Sequence, residues 1–139
     1  MLNTRMKALE QYLTTAFFML QASAKVYTTD ATVTTLATES VSPSTTVHIA
    51  GSVVGRRTGG SAGTAEDAAS YRVEILAKNA AGTATVIGSS VTVIGESQAA
   101  WDCAVSASGG NVLVRVTGAA NNNVTWAWSR RRQTVTNDT

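Results

Sequence analysis

The strongest constraint on this chain is a change of rhythm at Lys25. Ahead of it apolar residues recur every three or four positions, and after it they alternate. Leu2, Met6, Leu9, Leu13, Ala16 and Leu20 stand 4, 3, 4, 3 and 4 positions apart, the spacing that lays side chains along one stripe of a helix and makes a coiled-coil seam. This predicts one amphipathic helix over residues 1–24, about 30–36 Å long at 1.5 Å per residue. Phe17 and Phe18 widen its apolar face near the end. Three heptads are marginal as an isolated helix. The segment is therefore expected to lie on its own domain, to bundle with copies of itself, or to dock on another protein.

From residue 25 to 139 the period is two, the period of strands. Candidate strands cover 26–36, 45–55, 70–78, 83–94, 99–107, 111–117 and 123–135. Several show one apolar face, such as Val47, Ile49 and Val53; Trp101, Cys103 and Val105; or Val124, Trp126 and Trp128. Composition agrees, because 21 Thr, 16 Val and 13 Ser make the chain small and β-branched rather than aromatic or charged. Between the strands, Asn79-Ala80-Ala81-Gly82, Ser108-Gly109-Gly110 and residues 118–122 supply the Gly and Asn that tight hairpins need for positive φ. The expected fold is mostly β, an antiparallel β-sandwich or jelly-roll-like domain preceded by the N-terminal helix. The stretch 55–69 reads as an exposed loop, with Arg56 or Arg57 paired to Glu66 or Asp67 across its base.

Several function classes lose support at this level. With 11 basic and 9 acidic residues the net charge is only +2, too small an excess to track a phosphate backbone, so nucleic acid is not expected as a partner. No apolar run reaches the 18 residues of a membrane span, and no membrane partner is expected. Lys7 and Arg5 before an apolar stretch, followed by Ala22-Ser23-Ala24, have part of the form of a secretory signal, but Glu10, Gln11, Thr14 and Thr15 dilute its apolar region.

Catalysis needs a positioned set of titratable groups, and the chain has one histidine, His48, set opposite the Val47/Ile49/Val53 face. One cysteine and one histidine cannot form a metal-binding cluster within a single chain. Cys103 reads as a small buried hydrophobe. The glycines at 59, 60 and 63 lack the Lys-Ser/Thr ending of a phosphate loop. No catalytic residue, metal or cofactor is expected. Trp126 and Trp128 share one strand face and are a candidate sugar-stacking or interface surface, weighed against plain core packing. Because Arg130 and Arg132 continue that face, Trp128 is expected at the boundary of the core.

Two stretches carry a resemblance. The first runs from Val53-Val54-Gly55-Arg56-Arg57-Thr58-Gly59-Gly60 to Ala69-Ser70-Tyr71-Arg72-Val73. The second runs from Ala100-Trp101-Asp102 through Val114-Arg115-Val116-Thr117-Gly118-Ala119-Ala120 to Val124-Thr125-Trp126. Over roughly residues 45–136 the chain resembles a β domain of structural proteins of tailed bacteriophages, found near the ends of fibre and tail proteins. The resemblance implies a virion component made in the bacterial host cytoplasm, typically a homotrimer, with neither enzymatic activity nor cofactor. Since the domain nearly fills this sequence, it fits a part added in many copies, such as a capsid-decoration (cement) protein or short head fibre on the major capsid protein. A short tail fibre is the alternative, and a glycan-binding module a second one. In the virion reading Leu2, Met6, Leu9, Leu13, Phe17 and Leu20 form the oligomerisation or docking seam.

Overall fold

The computed structural model describes residues 6–7 and 22–137. Eight strands run in the order β1 (Ala22–Thr28), β2 (Thr34–Ser40), β3 (Thr45–Gly59), β4 (Ala68–Asn79), β5 (Ala84–Glu96), β6 (Asp102–Ser108), β7 (Asn111–Thr117) and β8 (Asn123–Thr136). All pairings are antiparallel. Five strands make one sheet, β1-β8-β3-β4-β5, and three make the other, β2-β7-β6. One core lies between them, contributed by alternate residues of both sheets: Val47, Ile49 and Val53 of β3; Tyr71, Val73 and Ile75 of β4; Val112, Val114 and Val116 of β7; and Trp126 and Trp128 of β8. The mostly β, two-sheet expectation holds.

Its jelly-roll element holds only in part. Nesting of β1 with β8 in one sheet and β2 with β7 in the other is the jelly-roll wrap. A full jelly roll would go on to pair β3 with β6 and β4 with β5 in opposite sheets. Here β3, β4 and β5 stay together as a meander, joined by hairpins, and β6 folds back on β7. The turn after β4 explains the hairpin locally. Buried Asn79 accepts the Gly82 N–H on Oδ1 at 2.6 Å and donates from Nδ2 to the Val41 carbonyl at 2.7 Å, while Gly82 takes φ of 108°.

The N-terminal expectation changes at its boundary. Residues 1–5 and 8–21, and with them Leu2, Leu9, Leu13, Phe17 and Leu20, lie outside the described residues. Met6 and Lys7 are helical and exposed. Ala22, Ser23 and Ala24, assigned to the helix by the heptad count, instead open β1, paired to Arg130, Ser129 and Trp128. The reason is backbone satisfaction: β8 has a free flank there, and a ladder satisfies donors and acceptors that a fraying helix end leaves open. The 26–36 segment is likewise two strands, because Asp30 caps the Thr32 N–H at 2.8 Å and turns the chain from one sheet to the other.

Candidate functional site

Trp126 and Trp128 are not a surface platform. Their relative exposures are 0% and 1%, so the ligand-face reading of these residues is corrected. Glycines of β3 lie under both rings: a Cβ on Gly55, the partner of Trp126, would come within 2.5 Å of Trp126 Cζ3, and one on Gly51, the partner of Arg130, within 2.7 Å of Trp128 Cη2. Each indole thus lies over bare backbone of the neighbouring strand. Trp101 meets Trp126 edge to face at 5.5 Å and 66°. Trp126 donates its Nε1 proton to Thr28 Oγ1 at 2.9 Å.

The arginines beyond Trp128 do not mark the end of the core, contrary to the sequence expectation. Glu39 of β2, only 5% exposed, points inward because a bulge at Leu36 shifts the strand's alternation, burying Leu36 and Ala37 in succession. Its carboxylate accepts from Arg130 Nε at 3.0 and 3.1 Å and lies 2.9 Å from Arg130 Nη2. Arg132 Nη1 approaches it at 3.5 Å, and Arg132 Nη2 donates to the Ser40 carbonyl. One acid from the small sheet is therefore shared by two bases from the large one, and the cluster keeps a net charge of +1. The sequence pattern gave no sign of Glu39, since a one-residue bulge reverses which face it occupies.

The charged stretch after β3 is shorter than expected, because β3 continues to Gly59. Arg57 reaches into the loop and donates from Nε to Ala62 O at 2.8 Å and from Nη2 to Gly60 O at 2.7 Å. Arg56 and Glu66 are exposed and 3.4 Å apart, a pair of small energetic weight. Asp67 accepts from the Thr64 N–H and from Gln98 Nε2 at 2.8 and 2.7 Å, and these bonds hold its carboxyl below the usual range. Arg57 and Asp67 brace the loop, while Arg56 and Glu66 lie at its surface.

Titratable groups elsewhere are dispersed. His48 lies on the outer face with Nε2 3.6 Å from Glu74 Oε2. Cys103 is buried and its thiol is pushed up to about 12, chiefly by desolvation. Burial and a 2.8 Å bond to Glu96 raise Tyr71. Among the described residues no three of His, Cys, Asp and Glu gather as a metal site, and no helix is long and apolar enough to cross a membrane.

The surface that departs most from a solvated sandwich is the outer side and free edge of the five-stranded sheet. Val54 of β3, Leu76 of β4, and Ile87, Val93 and Ile94 of β5 are all exposed. Beside Ile94 lie the small residues Ala50, Ser52 and Ser70, together with Arg72 and Arg131. Sequence alternation did not single out this surface, because each residue reads as an ordinary half-buried strand position.

No family model matches the chain, and no curated protein matches it. Among solved structures it is similar to the tailspike protein of Acinetobacter baumannii phage AM24, at TM-score 0.47 and 8% identity over 86% of this chain and 27% of that one. It is also similar to the tailspike of Acinetobacter baumannii bacteriophage Fri1, a capsular polysaccharide depolymerase, at TM-score 0.41 and 12% identity over 79% of this chain and 17% of that one. The tailspike of Acinetobacter phage vB_ApiP_P1 gives TM-score 0.44 and 15% identity over 81% of this chain and 22% of that one. The chain thus spans 17–27% of the length of these three proteins.

Proposed function

We propose that this chain is a non-enzymatic structural protein of a tailed-bacteriophage virion, a homotrimeric capsid-decoration or head-fibre module that docks on the major capsid protein. The observation that carries the assembly role is an uncovered apolar surface on a chain whose core is otherwise closed. Ile87, Val93 and Ile94 stand 52%, 51% and 65% exposed on one strand, while the three tryptophans that a binding module would place at its surface are packed inside. Ile94 also lies beside Val54, and exposed apolar clusters of this kind mark contact surfaces.

The virion placement rests on the sequence resemblance over roughly residues 45–136, and the anchoring role on the heptad seam of Leu2, Met6, Leu9, Leu13, Phe17 and Leu20. In this reading the sandwich is a rigid knob and the N-terminal segment fastens it. Adding purified chain to phage particles assembled without it tests the docking. Saturable binding to the shell is expected, and Leu9→Asp with Leu13→Asp should abolish it while leaving the β domain folded. Binding confined to tails would move the protein to a short tail fibre, and no binding to any particle component would refute the virion role.

A further inference from the structure

Strand alternation sorts the charges of the larger sheet. On β3, β4 and β8 the residues between core positions face outward, and register carries that side onto β1. It holds Lys25 of β1, Arg56 of β3, Arg72 and Lys78 of β4 and Arg131 of β8, all exposed. Against them stand Glu74 of β4 and, from the neighbouring loop, Glu66. Five of the 11 basic and two of the nine acidic residues are thus gathered on one face, which carries +3 while the other residues of the chain sum to −1. The overall charge of +2 conceals this division.

The two acids do little to screen it. Arg56 and Glu66 are 60% and 76% exposed, and Arg72 and Glu74, 3.8 Å apart, are 70% and 46% exposed; pairs so open to water are weak. Among the described residues no carboxylate lies within 4.0 Å of Arg131. Between the two unscreened arginines the face is low. Ala50 and Ser52 of β3 lie between Arg131 on one neighbouring strand and Arg72 on the other. Together with Ser70 and Ile94 they line a depression of about 380 Å³. Val54, the next outward residue of β3, and Ile94 are 49% and 65% exposed.

We propose that this outer face docks an acidic protein surface, one that sets carboxylates against Arg72, Arg131, Lys25 and Lys78 and apolar side chains against Val54 and Ile94. Charge selects the occupant. A second copy presenting the same face would bring +3 against +3, and residues 1–21 carry Arg5 and Lys7 against Glu10, so neither supplies the missing anions. The apolar side chains set among arginines match the make-up of a protein interface. A single-stranded nucleic acid would need aromatic stacking platforms, and among the described residues the exposed aromatic of this face is Tyr27 alone, on the outermost strand.

This inference rests on the particle docking in the proposed function, and one titration separates the two. Full-length chain is added to phage particles assembled without it, at about 50 and about 500 mM salt. The parent should bind more weakly at the higher salt. Arg72→Gln with Arg131→Gln should weaken low-salt binding by roughly tenfold or more and flatten the salt dependence, with an unchanged thermal midpoint. Thr35→Glu with Thr38→Glu removes the same net charge from exposed positions on the outside of the smaller sheet, and should bind as the parent does.

Equal binding by the parent and the arginine variant, or an equal loss in the threonine variant, would overturn the face and leave docking standing. Parent binding that is the same at both salts would do so without recourse to any variant. Binding of the parent to double-stranded DNA as tightly as to particles, lost with the same two arginines, would make the occupant a nucleic acid, and loss of self-association in place of particle binding would make it a second copy; either overturns the acidic protein. A parent that binds no particle component would overturn both this face and the docking it rests on.

Discussion

Glu39 of β2 and Arg130 of β8, 91 positions apart, face each other across the sandwich with Arg130 Nη2 2.9 Å from Glu39 Oε1. The contact ties the two sheets together beyond the last tryptophan, in place of the apolar layer that would otherwise close that end.

Breaking a buried pair from one side leaves an uncompensated charge in low dielectric. Glu39→Ala strands Arg130 and Arg132 and should cost about 3–5 kcal/mol, read as a lower urea midpoint at an unchanged slope. Arg132→Ala, which leaves Arg130 in place, should cost distinctly less. Equal losses would show that the network is not centred on Glu39.

Gly55→Ala tests the indole packing. Its Cβ would stand 2.5 Å from Trp126 Cζ3, on a ring already in edge-to-face contact with Trp101 and hydrogen-bonded to the Thr28 hydroxyl. Overpacking of this kind costs about 1–3 kcal/mol. Gly88→Ala, where a Cβ meets nothing within 4 Å, is the control and should leave the thermal midpoint nearly unchanged.

Acid should loosen the loops. Asp67 is held low by the Thr64 N–H and Gln98, and Asp30 by Thr32. A carboxyl depressed in the folded state adds stability above its unfolded pKa of about 3.9, and that stability is lost as pH falls through the folded value. The thermal midpoint should therefore drop on acidification below about pH 4, and Asp67→Asn should drop less steeply than the parent. A midpoint flat through this range would contradict the hydrogen bonds assigned to both aspartates.

Cys103, with its thiol raised to about 12 by burial, should react with a thiol reagent at mild alkaline pH at least about a hundredfold more slowly in the folded chain than in urea. Equal rates would place Cys103 at the surface rather than beside Trp101 in the core.

How much of this was legible follows from what sets each feature. The 111–117 strand was found to the residue, because Val112, Val114 and Val116 alternate without interruption between two turn signals. The division of 26–36 was hidden, since its turn uses an Asp30 cap and neither Gly nor Pro. Strand parity is the deeper limit. Period-two reading assumes unbroken alternation, and the bulges at Leu36, Ile87 and Ile94 each reset it. Glu39 turned inward and two isoleucines turned outward through such resets, so both the inter-sheet ion pair and the exposed strand escaped the pattern. Trp128 reads as a rim residue for a related reason: Arg130 and Arg132 look like an exit from the core until the acid that pairs with them is known.

Counting copies of the chain per purified phage particle, by quantitative mass spectrometry against the major capsid protein, tests placement on the virion most directly. A decoration or head-fibre role predicts copies in a fixed ratio to capsid subunits, reaching the hundreds if every shell site is filled. Six or twelve copies would contradict the shell assignment, and a particle without the chain would contradict the virion role itself.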